Sequence, residues 1–158
     1  MSARITRALI WVGALLVLGG VNWEIYSKER VIRGGETVYL ELAPVDPRSL
    51  MQGDYMALRF RLADEVEAWR AVSGRERLRT APLDVDDRGI ATLAGRDGSL
   101  EIAFRVRGGR VWLGTNAYFF QEGTADHYTT ARYGEFRIDP STGEAVLVGL
   151  RDAELNAL

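Results

Sequence analysis

The sequence predicts a mainly β fold: an N-terminal transmembrane helix followed by an antiparallel β-sandwich or open barrel with one short helix. Three observations predict it. No charged residue occurs from Ala8 to Trp23. Beyond residue 35, apolar and polar residues mostly alternate, the period of a half-buried strand. Turn sequences rich in Gly, Asp and Pro separate these runs.

The first element carries the anchor. Extending the uncharged run to Ile5–Tyr26 gives 22 positions, about 33 Å of helix and enough for a bilayer. Arg7 and Glu24 lie near its ends, where polar groups reach the headgroups, and Trp23 and Tyr26 stand where an interfacial aromatic belt is expected. A signal peptide cut after Gly20 fits less well, because Leu18 would occupy a position that favours a small side chain. Arg4 and Arg7 in the short N-terminal tail favour an inward N-terminus, against an opposing signal from Lys28, Arg30 and Arg33. The expected division is an anchor over 1–27, a linker over 28–35 and an extracytoplasmic β domain over 36–158. The linker could equally extend the helix until Gly34-Gly35 breaks it.

The remaining chain is long enough for one core. The first 33 residues carry five Lys/Arg and two Asp/Glu out of totals of 20 and 22, so the rest has 15 basic and 20 acidic residues, a net charge of −5. A nucleic-acid partner, which needs a basic patch, is not expected. With no cysteine in the chain, neither side of the membrane is favoured on redox grounds.

Within the domain, Val38, Leu40 and Leu42 alternate with polar neighbours as a strand that Pro44 and Pro47 end. A second alternating run sets Met56, Leu58, Phe60 and Leu62 on one face, with Tyr55, Ala57, Arg59 and Arg61 on the other. Leu62, Val66, Trp69 and Val72 recur at helical spacing, so a helix is expected at about 62–73, stopping near Gly74. Gly74–Pro82 reads as a charged, exposed stretch. Asp86-Asp87-Arg88-Gly89 is a turn ahead of a strand at 90–94. Leu100, Ile102, Phe104 and Val106 alternate, and Gly108-Gly109 is a hairpin signal leading to a strand at 110–114. Phe136 and Ile138 alternate with Glu135 and Arg137 on the next strand, and the turn Pro140–Gly143 leads to a last one with Val146, Val148 and Leu150.

The octapeptide Gly53-Asp54-Tyr55-Met56-Ala57-Leu58-Arg59-Phe60 matches a Gly-Asp-Tyr-x-x-Leu-x-Tyr pattern except at Phe60. Together with its approach Ala43–Gln52 and the tail Ala131–Arg137, it resembles the GDYXXLXY family of bacterial membrane-anchored proteins. The resemblance implies an N-terminal anchor and an extracytoplasmic domain, frequently encoded near polytopic membrane proteins. Phe in place of Tyr keeps the ring and removes a hydroxyl. Physically, Gly53 permits an unusual backbone, Asp54 can fix the loop through backbone amides, and Tyr55 and Phe60 pack on opposite faces.

Enzyme readings find little support. Aligning Gly53-Asp54 with the Gly-Asp of signal-peptidase-like proteases puts Val45 at the nucleophile, and the single lysine, Lys28, adjoins the anchor. His127 is the sole histidine, and no serine sits in a recognisable nucleophile context. Glu122, Asp126 and His127 cluster in sequence but lack metal-ligand spacing. Neither a metal nor a cofactor is expected. Tyr118-Phe119-Phe120 puts aromatics on both faces of an extended chain, so one face must meet a second sheet, the membrane or a partner.

The expected function is therefore a non-catalytic membrane-anchored module, in the bacterial inner membrane with its domain outside the cytoplasm, that binds a membrane or envelope protein or itself. Its candidate contacts are Gly53, Asp54, Tyr55, Leu58, Phe60, Glu122, Arg132 and Tyr133, with Arg4, Arg7, Trp23 and Tyr26 at the membrane interface. The alternative is an anchored hydrolase or carbohydrate-active enzyme using Asp54, Glu122 or His127, which requires those side chains to converge in one pocket.

Overall fold

A computed structural model describes residues 3–43, 51–52, 55–74, 77–95 and 97–158. It opens with helix α1 (Ala3–Gly34), on which every large apolar side chain from Leu9 to Ile25 is exposed. The segment Leu9–Gly34 is long and apolar enough to cross a membrane. Residues 28–34, read from sequence as a linker or a helical extension, are the last two turns of α1. They dock on the domain: Val31 is buried and Lys28 forms an ion pair with Glu144. The Gly35 N–H closes the helix on the Val31 carbonyl at 2.8 Å.

The domain is mainly β, arranged as small antiparallel sheets around one core; no closed barrel forms among the described residues. β1 (Glu36–Glu41), β10 (Tyr133–Ile138) and β11 (Ala145–Arg151) form the sheet nearest α1, with β10 in the middle. β2 (Met51–Gln52), β3 (Tyr55–Ala57) and β9 (Ala117–Phe119) form a second, centred on β3. β5 (Ala91–Leu93), β4 (Thr80–Val85) and β6 (Leu100–Ala103) form a third, and β7 (Arg105–Arg107) pairs with β8 (Arg110–Trp112) as a hairpin. Single bonds knit these sheets together, such as Tyr39 N–H to the Gly89 carbonyl and Ala103 N–H to that of Gly143.

The expected alternation holds at Met56, Leu58, Phe60 and Leu62, all buried, although the ladder ends at Ala57 and helix α2 (Arg61–Ser73) takes over. The helix buries Leu62, Ala63 and Val66, with Trp69 partly covered, and stops at Gly74 in the left-handed conformation. Val72 does not belong to that stripe: it is 90 % exposed, in a final turn whose Ala71 and Gly74 are exposed too. Glu67 instead turns toward the domain and accepts the Val111 N–H at 2.7 Å. The β7–β8 hairpin turns on Gly108 and Gly109, whose φ values of 56° and 81° suit a turn matched to strand twist.

Three expectations are corrected. The stretch read as exposed up to Pro82 contains the start of β4, with Ala81 and Leu83 fully buried. Pro82 is tolerated because it still accepts the Ala94 N–H at 2.9 Å; lacking an N–H to return, it ends the β4–β5 ladder there. The run 100–106 is not one strand: β6 pairs with β4 and β7 with β8, with Phe104 buried at the break. In β11 a bulge opposite Glu135/Phe136 inserts Val148, so Leu147 and Leu150 pack inward while Val148 is exposed.

Candidate functional site

The motif strand divides its side chains between two environments. Met56, Leu58 and Phe60 enter the core, where the Phe60 ring meets Phe136 edge-on at 5.1 Å. Gly134 makes room for this pair: a Cβ there would stand 2.7 Å from Phe60 Cε1. Leu58 and Phe60, both candidate contacts from sequence, are therefore core residues that no surface partner reaches. Tyr55 is half-buried on the opposite face, with its ring 5.8 Å from that of Phe119. Phe119 is 75 % exposed. It lies on β9, which among the described residues pairs only with β3 and so leaves a free edge. Gly53, Asp54 and the approach over 44–50 lie outside the described residues.

The segment after β9 folds over its inner side. Tyr128, in a 3₁₀ turn (Ala125–Tyr128), stacks on Phe120 at 5.2 Å and meets Tyr118 edge-on at 5.4 Å. Burial and the neighbouring Tyr128 phenol push the Tyr118 hydroxyl above its ordinary pKa. Thr124 and Thr129 hydroxyls donate to the Gln121 and Asp126 carbonyls and hold the turn. Glu122, Asp126 and His127 are exposed. No group of three metal-ligating side chains assembles among the described residues. Arg132 is exposed and Tyr133 half-buried, where β10 begins.

One polar pair escapes local sequence reasoning. Glu135, on the face of β10 opposite Phe136, is buried because Arg151 covers it from β11, its Nε and Nη2 donating to one carboxylate oxygen at 2.8 and 2.5 Å. Arg151 is followed by a C-terminal hook in which the Asp152 carboxylate accepts the Glu154 and Asn156 N–H groups. The pairing joins residues 16 apart through a sheet register, so no short motif announces it. A small cleft of about 130 Å³ lies between α2 and β8, beside Phe60, Glu67 and Trp112. At about 30 Å³ per water it holds only a few solvent molecules.

These features define a class: a single long apolar helix continuous with a small strand-rich domain that presents an aromatic edge. Residues 17–150, most of the chain, match the family described as GDYXXLXY protein, and the chain belongs to that family. Comparison with curated proteins and with solved structures gave no match.

Proposed function

We propose that the chain is a non-catalytic module anchored by α1 in the bacterial inner membrane, with its β domain outside the cytoplasm, and that it binds a membrane or envelope protein or a second copy of itself. Arg4 and Arg7 ahead of the span support this orientation. The observation that carries the binding reading is the exposed Phe119 on β9, whose outer edge is unpaired among the described residues, backed by Tyr55 from the family motif. An edge strand with an exposed aromatic offers backbone hydrogen bonds and an apolar anchor to one partner together.

The test is a photo-crosslinking amino acid placed at Phe119 in native membranes. A discrete product of fixed mass, absent when the probe is at the still more exposed Val72 and lost on adding Tyr55→Ser, is the expected result. Identical product patterns at both positions would refute the reading.

A further inference from the structure

We propose that the groove between the end of α1 and the domain binds an anionic phospholipid from the leaflet on the domain's side. The inference rests on α1 spanning the membrane. The groove has a volume of about 810 Å³, with Glu24 and Lys28 of α1 on one wall and Phe104, Arg105, Trp112 and Val146 of the domain opposite.

Its height matches a headgroup layer. About 20 helical residues fill the hydrocarbon core, so a span beginning at Ile5 ends near Trp23 and Glu24. Lys28 stands five residues past Trp23, or about 7.5 Å of helix rise. The headgroup region adds about 5–7 Å on each side of the hydrocarbon. The groove thus opens where lipid phosphates lie. On the same helix face toward the hydrocarbon from Glu24, Val17 and Val21 are 66 % and 51 % exposed and offer a surface for acyl chains.

Its chemistry matches as well. The partly exposed Ala145, Val146 and Leu147 give an apolar floor for the glycerol and upper acyl carbons. Lys28 is held between Glu144 and Glu24, and exposed Arg105 adds a guanidinium to the rim. The lining as a whole carries Lys28, Arg79 and Arg105 against Glu24 and Glu144, a net charge of +1, beside a domain whose 15 basic and 20 acidic residues give −5. A guanidinium at headgroup level attracts phosphate and favours a net-anionic headgroup over a zwitterionic one.

The experiment is native mass spectrometry of the full-length chain in detergent, with equal amounts of phosphatidylglycerol and phosphatidylcholine added. One retained phosphatidylglycerol is expected in preference. Arg105→Gln should lower that preference about fivefold, the effect of one interfacial charge, while Arg105→Lys retains it and Arg88→Gln, on the turn after β4, leaves it unchanged. Equal retention of both lipids, or an unaltered preference in Arg105→Gln, overturns the proposal. Alkaline extraction of membranes separates the two levels. A chain that resists extraction but shows no lipid preference refutes only the groove. A chain that is released refutes the span and the groove together.

Discussion

Gly134→Ala isolates one packing contact. Gly134 sits in the middle strand of its sheet with φ outside the left-handed region, so alanine meets no backbone strain and the effect is steric. Its Cβ would lie 2.7 Å from Phe60 Cε1, 3.0 Å from Leu147 Cδ1 and 3.1 Å from Phe136 Cε2. Carbon atoms in contact prefer about 3.5–4.0 Å, so the Phe60 ring must retreat by close to 1 Å. It has little room, being 3 % exposed and set edge-on against Phe136. Overpacking of this kind costs about 1–3 kcal/mol. Alanine recovers about 0.4–1 kcal/mol by restricting the unfolded chain. The net expectation is a loss of about 1–2 kcal/mol.

The assay is thermal unfolding of the full chain in detergent, followed by near-ultraviolet circular dichroism. A fall in Tm of several degrees is expected. Phe60→Leu shortens the obstructing ring, so the double variant should lose less than the sum of the two single losses, with a coupling of at least about 0.5 kcal/mol. An alanine variant as stable as the parent, or strict additivity, would refute the argument that Gly134 exists to admit the Phe60 ring.

Two further outcomes test the polar framework. Glu135→Ala strands the Arg151 guanidinium against the sheet, and a loss of about 2–3 kcal/mol is expected given the pair's partial solvent contact, whereas Glu135→Leu with Arg151→Leu should recover most of it; equal loss in both would show that packing, not charge, decides. The hydrogen bonds of Ser141 to Asp139, helped by the Arg30 charge, and of Asn156 to Asp152 hold both carboxyls below the ordinary carboxylate range. A depressed folded pKa stabilises fully above the unfolded value, about 3.9, and that contribution is lost as pH falls through the folded value. Tm should therefore drop on acidification below about pH 4, and less steeply in Asp139→Asn; parallel curves would contradict this.

What was legible in the sequence was local. The alternation from Met56 to Leu62, the Gly108-Gly109 hairpin and the helix ending at Gly74 each depend on neighbours within a few residues. The failures arise where a distant strand decides. Gly74–Pro82 reads as exposed because nothing local shows that its last residues pair with β6, with only the β5 side lacking the Pro82 N–H. Val148 reads as inward because the bulge is set by its pairing with β10. Of the candidate site, the exposed aromatic could be foreseen from the triplet Tyr118-Phe119-Phe120, but its meeting with Tyr55 is created by the β3–β9 register. Leu58 and Phe60 were drawn into the candidate site by membership of the motif, when their burial follows from sharing parity with Met56.

The junction between α1 and the domain constrains any binding role. A flexible tether would only raise local concentration, leaving the domain free to turn. Here the helix continues to Gly34 with Val31 buried and Lys28 paired to Glu144. Those contacts reach the sheet of β10 and β11, the same sheet that holds Gly134 and the Glu135–Arg151 pair. With α1 in a membrane, the domain would stand at a fixed height and rotation, and the Phe119 edge would face the same direction in every copy. A partner fixed in the same bilayer can then be met without the rotational search that a swivelling domain would require. Inserting Gly-Ser pairs after Gly34 would remove this restriction while sparing the Phe119 surface, so loss of crosslinking in such a chain would assign the binding advantage to the rigid junction.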